Sequence, residues 1–294
     1  MVSVNKVLAL PFLLLLPATG QQQQDFVWKD SGSGGVQLLE RGNPVLTYND
    51  GQQLKAGASE DRRRCCYIFP LYTPAGVSVL DDFPQNHPHH RGLFWAWPVV
   101  ETTGKTYDLW MNMTVKQQSG KKLLTQASAA STSLDTNSVW QVEGRDIVQQ
   151  SLRLTVFPSA NSAREFLVEL TLEALGGPVT LRGSREEGKS YGGFSARFAP
   201  RTTTILRADG QTLTKDEDLT PRAWAELEGV YSGKRATLRI TPDPGNPRAP
   251  YQWCLRGYGF VGASFPGRTD TQDGYTIEPG KPLTLKFRVR VSDQ

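Results

Sequence analysis

Glycine and proline interrupt this chain throughout, 28 and 19 of them in 294 residues. Few windows between them are long enough for an ordinary helix, because proline breaks the hydrogen-bond ladder and glycine weakens it. Strand patterns fill the gaps. At the C-terminus Leu283, Leu285, Phe287, Val289 and Val291 alternate with Thr284, Lys286, Arg288 and Arg290, as one buried and one wet face require. Leu152, Leu154 and Val156 alternate with Arg153 and Thr155, and Phe166, Val168, Leu170 and Leu172 alternate with Glu169 and Thr171. The stretch Pro158-Ser159-Ala160-Asn161-Ser162 between these two segments predicts a hairpin. Further strands are expected at Tyr67–Leu71, Gly92–Trp97, Phe194–Phe198, Thr203–Leu206, Ala236–Thr241 and Tyr258–Ser264, each bounded by turn residues. Short strands with this punctuation predict an all-β fold, a large antiparallel β-sandwich with few or no helices. No fixed-period repeat and no Pro/Ser linker divides the chain, so one domain is expected over residues 36–294.

The first residues have the order of a secretory signal peptide: Lys6, an apolar run from Val7 to Leu16, then Pro17-Ala18-Thr19-Gly20, with cleavage expected after Gly20. The run is about half of the roughly 20 residues a membrane span needs. Residues 1–20 are therefore read as a signal, residues 21–35 as a flexible leader, and the location as periplasmic or extracellular. No membrane partner is expected after cleavage. The formal charge of +4 is small for this length and argues against nucleic acid, which calls for clustered basic residues. The run Arg62-Arg63-Arg64 reads as a solvated loop beside Glu60 and Asp61. Three cysteines, Cys65, Cys66 and Cys254, cannot all pair within one chain. They are expected as buried thiols, or with one of the adjacent pair bridged to Cys254.

All three histidines fall within four positions, in Asp81-Asp82-Phe83-Pro84-Gln85-Asn86-His87-Pro88-His89-His90-Arg91-Gly92. Core packing does not explain such clustering of a rare titratable side chain. If Pro84 and Pro88 hold the loop extended, His87 and His89 share a face and His90 points elsewhere. Three roles compete. His87 and His89, with Asp81, Asp82 or a distant carboxylate, would hold a divalent metal ion, for which neutral imidazole is a common ligand. A single histidine with a pKa near 6.5 would move protons near neutrality. A structural turn would bond the imidazoles to backbone carbonyls.

Two other stretches carry chemistry. Arg185-Glu186-Glu187-Gly188-Lys189-Ser190-Tyr191-Gly192-Gly193-Phe194-Ser195-Ala196-Arg197 groups acids and bases around paired glycines, which would let backbone approach a ligand, or else mark a bend between strands. Its glycine spacing is not that of a nucleotide loop. The stretch Asn246 to Gly259 interleaves Tyr251, Trp253 and Tyr258 with Arg248 and Arg256, as a sugar cleft would, with Trp95, Trp97 and Trp110 adding to the supply. Trp and Tyr on strands are also core residues.

Together these motifs, with Leu71-Tyr72-Thr73-Pro74-Ala75-Gly76-Val77, resemble the PmoA-like family of secreted bacterial β proteins, from about Tyr67 to the C-terminus. The methane-oxygenase name attached to that family does not fit, since such a membrane enzyme needs several apolar spans and no later stretch here approaches that length. The resemblance implies a sandwich of the galactose mutarotase type and a setting of polysaccharide breakdown. Carried onto this chain, it points to His87, His90, Arg91, Glu187, Lys189, Arg197, Trp253 and Arg256, and residue type assigns proton transfer to His87, His90 and Glu187. Residue type likewise assigns substrate binding to Arg91, Lys189, Arg197, Trp253 and Arg256, the arginines holding an oxyanion or carboxylate and Trp253 forming a stacking wall. The leading expectation is an exported enzyme of lyase, epimerase or hydrolase type with a polar or acidic carbohydrate substrate. The alternatives are a non-catalytic sugar-binding module and a histidine-cluster metalloprotein.

Overall fold

The computed structural model describes residues 25–111, 114–128, 130–268 and 274–294. The expected signal peptide and the start of the leader lie outside them. Among the described residues the only helical element is one 3-10 turn, Glu60–Arg62, and all else that is regular is strand. The glycine and proline spacing thus produces the all-β fold it predicts.

Two nine-stranded sheets make the body of the sandwich, and every recorded strand pair in them is antiparallel. The first sheet runs Phe26–Asp30, Val36–Glu40, Asn43–Asn49, Tyr67–Leu71, Leu93–Ala96, Gly193–Arg197, Phe260–Ser264, Tyr251–Arg256, Glu217–Arg222. The second runs Gln211–Thr212, Thr204–Ala208, Ala225–Tyr231, Lys234–Pro242, Leu283–Asp293, Ala163–Ala174, Arg145–Val156, Thr132–Val142, Lys116–Ala127. A smaller sheet joins Gly274–Ile277, Val179–Arg182, Val99–Thr102 and Lys105–Tyr107. The predicted hairpin forms with Leu152 opposite Leu170 and Leu154 opposite Val168. The C-terminal strand buries Leu283, Leu285, Phe287, Val289 and Val291. Each such side chain contributes about 1.5–3 kcal/mol.

The two sheets share one buried cluster. Phe194 of the first stacks on Phe287 of the second, centroids 4.2 Å apart. Between the sheets the Gln150 carbonyl accepts from Trp95 Nε1 at 2.9 Å, Trp140 Nε1 at 3.0 Å and Gln117 Nε2 at 3.2 Å. This node answers the donors that two buried indoles carry into an apolar core.

The leader expectation is corrected. Phe26–Asp30 is the edge strand of the first sheet, paired with Val36–Glu40. Phe26 is buried, and Trp28 Nε1 donates to Thr132 Oγ1 of the second sheet at 2.8 Å. The arginine run is only partly the expected solvated loop. Arg63 is exposed and pairs with Glu60, but Arg64 is buried and donates to Trp95 O at 2.9 Å. All three cysteines are buried thiols, and the only sulfur–sulfur contact among the described residues joins Cys65 to Cys66, so no bridge to Cys254 is present. No helix among the described residues is long and apolar enough to cross a membrane.

Candidate functional site

In the middle of the first sheet, Leu93–Ala96, Gly193–Arg197 and Phe260–Ser264 are buried on both faces. One face meets the second sheet. On the other side four segments, around His87–His90, Trp110–Met111, Glu186–Tyr191 and Cys254–Phe260, enclose a cavity of about 290 Å3. That is near the lower end of ligand pockets, roughly 300–1,000 Å3, and suits a ligand the size of one sugar ring.

The histidine loop is a pair of tight turns. His87 N–H donates to Pro84 O at 3.0 Å and His90 N–H to His87 O at 2.9 Å. An extended loop was expected; the turns instead bring His87 and His90, three residues apart, into a parallel stack at 4.7 Å and 10°. Tyr258 continues the stack on His87 at 4.9 Å, and Phe260 packs on His90 at 4.8 Å. His89 meets both neighbours edge-on. Gly92 seats the loop against the sheet, since a Cβ there would lie 2.2 Å from Ile68 O.

Arg91, expected to bind substrate, is fully buried and ties the loop down. Its Nη1 donates to Pro88 O at 2.7 Å and His90 O at 2.9 Å, its Nη2 donates to Arg62 O, and its guanidinium lies 3.5 Å from the Phe83 ring centroid. Asp82 faces Arg91 at 3.7 Å and accepts from Tyr67 Oη at 2.9 Å. The carboxylate that the metal reading would draw on is thereby turned to Tyr67 and Arg91. Burial lifts the Asp82 carboxyl to about 6 against the opposing pull of both partners. Among the described residues no three His, Cys, Asp or Glu side chains gather around one position for an ion.

The histidines are held neutral. Burial depresses His87, helped by Arg197 and Lys189. Burial lowers His89 to about 3, with His87, Arg62, Arg64 and Arg91 adding to it. Burial also sets His90 well below the usual imidazole range, with His89, His87, Arg197 and Arg91 contributing. The acid/base expectation of a pKa near 6.5 is corrected accordingly. A neutral imidazole still offers one donor and one acceptor.

Parity along the strand Tyr251–Arg256 sorts the third constellation. Cys254 and Arg256 face the cavity, while Trp253 points to the other side, fully buried, with Nε1 donating to Arg222 O at 2.9 Å. Trp253 is a core residue and not the expected stacking wall. The wall is Tyr258 and Trp110, with Tyr191 packed on Trp110 at 4.9 Å. Arg256 lines the cavity as expected but is engaged by an ion pair to Asp218.

The second constellation is displaced by one residue. Glu186 and Glu187 are both exposed, but only Glu186 lines the cavity, where it accepts from Tyr191 Oη at 2.6 Å and pairs with Lys189. The Lys189 and Tyr191 hydrogen bonds, in that order, hold the Glu186 carboxyl below its usual range, so it is ionised at neutral pH. Lys189 lines the cavity as expected. The paired glycines serve packing: a Cβ on Gly193 would lie 2.5 Å from Ala263 O on the adjacent strand. Arg197 stands behind the wall, its guanidinium 4.9 Å from the Tyr258 ring centroid and its Nη2 donating to Asn86 Oδ1 at 2.8 Å.

An all-β sandwich with a histidine-floored, aromatic-walled pocket on one sheet is the class that fold and site define. The chain belongs to a family of unknown function, DUF6807, whose family model matches residues 35–294. Among solved structures it is similar to a candidate mutarotase, YeaD, from Salmonella typhimurium: TM-score 0.38, 11% identity, 89% of this chain and 85% of that one. It is similar to the GalM/aldose epimerase homologue from C. elegans, with TM-score 0.36, 9% identity, 92% of this chain and 99% of that one. A candidate kojibiose phosphorylase from the human microbiome gives TM-score 0.38 and 9% identity over 89% of this chain, which spans 29% of that longer protein. No curated protein matches.

Proposed function

We propose that this protein binds one unit of a polar or acidic carbohydrate in the His87–Tyr258 pocket and moves a proton on it, as an exported enzyme of epimerase, lyase or hydrolase type. The observation that carries the reading is the pairing of neutral stacked imidazoles with an ionised carboxylate across one small aromatic cavity. Tyr258, 41% exposed, offers ring surface to the apolar face of a sugar, while Trp110, 4% exposed, backs the lining. Glu186 accepts a proton from a sugar hydroxyl or ring carbon, and the neutral His87 or His90 imidazole donates a hydrogen bond to the ring or leaving oxygen. Low-pKa histidines suit the donor role, because a neutral imidazole can polarise an oxygen without first being charged.

The preference for an acidic sugar rests on the field at the floor. Arg62, Arg64, Arg91, Arg197 and Lys189 all act on the histidines with the same sign. Of these, buried Arg64 and Arg197 have no carboxylate within ion-pair distance among the described residues. A pocket backed by buried guanidiniums that lack a direct carboxylate partner draws an anionic group. The likeness to PmoA-like proteins and the secreted location are part of this proposal and rest on the motifs and the first 20 residues.

The test is a panel of neutral and uronate mono- and oligosaccharides, with products and anomer exchange read by NMR. Glu186→Gln and His90→Asn should lose about 10²–10⁴-fold of the turnover, the usual range for one acid or base. Glu187→Gln should keep it. Turnover that survives Glu186→Gln, or that vanishes in Glu187→Gln, overturns the assignment.

A further inference from the structure

We propose that Cys65 and Cys66 form a redox site of their own, in which the two adjacent thiols close a vicinal disulfide at the turn leading into the strand Tyr67–Leu71. Neighbouring side chains in extended backbone point to opposite sides, which would keep adjacent sulfurs apart. Here Cys66 has φ +68°, the left-handed region that non-glycine residues rarely adopt. The turn it makes sends both side chains inward, with 0% and 2% exposure. Their Sγ atoms lie 2.7 Å apart. Nonbonded heavy atoms rest at about 3.5–4.0 Å even for carbon, which is smaller than sulfur.

The surroundings leave the pair no room to separate. Arg64, just before it, is bridged to Gln53 by two backbone hydrogen bonds of 2.8 and 3.1 Å. Cys66 N–H donates to Asn49 O at 2.6 Å, and Tyr67 after it pairs with Asn49 in the sheet. Cys65 Sγ faces Gln117 O at 3.5 Å. Cys254 stands in the pocket wall and has no sulfur contact with either. The adjacent pair is thus the pair placed to react. The turn also carries Arg64, whose guanidinium lies 5.3 Å from the Phe94 ring centroid behind the histidine floor.

The reaction needs an oxidant, and the class that supplies it is an external disulfide: oxidised glutathione or the active disulfide of a thiol oxidase. One cysteine thiol loses its proton and attacks a sulfur of that disulfide, releasing one external thiol and leaving a mixed disulfide. The neighbouring thiol loses its proton and displaces the second external thiol. Two Cys S–H bonds and one external S–S bond are broken, and one internal S–S bond and two external S–H bonds are formed. Burial in the finished fold places this exchange while the turn is open, during folding. Adjacent Cα atoms are about 3.8 Å apart, below the roughly 4.4–6.8 Å that disulfides usually span. Such a bridge should be reduced more readily than an ordinary structural disulfide.

The experiment uses the full chain, refolded in oxidised and reduced glutathione at graded ratios, acid-quenched, denatured, alkylated with iodoacetamide and read by peptide mass spectrometry. At the oxidising end the peptide holding Cys65 and Cys66 is expected unlabelled and lighter by two hydrogens, with Cys254 labelled; after reduction all three cysteines should label. Cys65→Ser should carry a glutathione adduct on Cys66 in place of the bridge. Three labels before reduction, a bridge from Cys254 to either neighbour, or a wild-type chain holding glutathione adducts at equilibrium would each overturn the proposal.

Discussion

Burial and a ring of cations decide what His87, His89 and His90 can do. In the unfolded chain each imidazole takes up a proton near the ordinary value of about 6.5. In the fold each has a lowered pKa, His89 down to about 3. Between those values the unfolded chain binds protons that the folded chain refuses, so these groups withdraw stability as pH falls below about 6.5 and cost nothing above it. Asp82, raised to about 6, works in the opposite direction over the same acid range. The histidine contribution is isolated by a variant. The stability difference between pH 7.5 and pH 5 in urea titrations should be smaller in His89→Asn than in wild type; a difference of equal size would show that His89 is not held neutral.

Among the elements, the loop from Asp81 to Gly92 gains its shape from the strands beside it. Asp81 N–H donates to Arg197 O at 2.9 Å, Arg197 N–H to Gly92 O at 2.8 Å, and Arg91 satisfies the loop carbonyls from below. Gly92→Ala would push a methyl against Ile68 O and shift the loop, at a cost of about 1–3 kcal/mol, the range for overpacking. Thermal unfolding should show the loss, and ligand affinity should fall with it; an unchanged melting temperature would mean the strand yields freely at this point. The gathering of the histidines in one loop was legible in the sequence, but its geometry was not. Two prolines are equally compatible with an extended loop and with the turns that stack His87 on His90. The parity that removes Trp253 from the pocket was legible, since it and Arg256 are three apart on one strand. The shift from Glu187 to Glu186 was not, because side-chain direction in a glycine-bearing turn has no period to read.

At the scale of the molecule, the pocket depends on two sheets that polar groups as well as apolar ones hold together. Gln150→Leu would leave the Trp95 and Trp140 indole N–H groups buried without an acceptor. At about 1–3 kcal/mol for each orphaned donor, a loss of about 2–6 kcal/mol is expected in chemical denaturation. A loss under about 1 kcal/mol would indicate that both indoles find other partners. The same polarity explains which strands sequence pattern missed. Thr132–Val142 places Thr132, Thr136 and Ser138 on its buried face, so hydropathy does not alternate there. Phe26–Asp30 follows a glutamine tract and has only Phe26 fully buried, too little for a periodic signal. Where buried faces are aliphatic, as in Leu283–Asp293, the pattern alone placed the strand.

The central claim, that the stack of Tyr258, His87 and His90 walls a sugar pocket, is tested most directly by calorimetric titration of glucuronate and of glucose into wild type and Tyr258→Ala. Saturable binding with one site per chain is expected, tighter for glucuronate. Removing the aromatic face should weaken it about 2- to 12-fold, as loss of about 0.5–1.5 kcal/mol of ring contact implies. Binding of neither sugar, or binding equally tight in the Tyr258→Ala chain, would contradict the account.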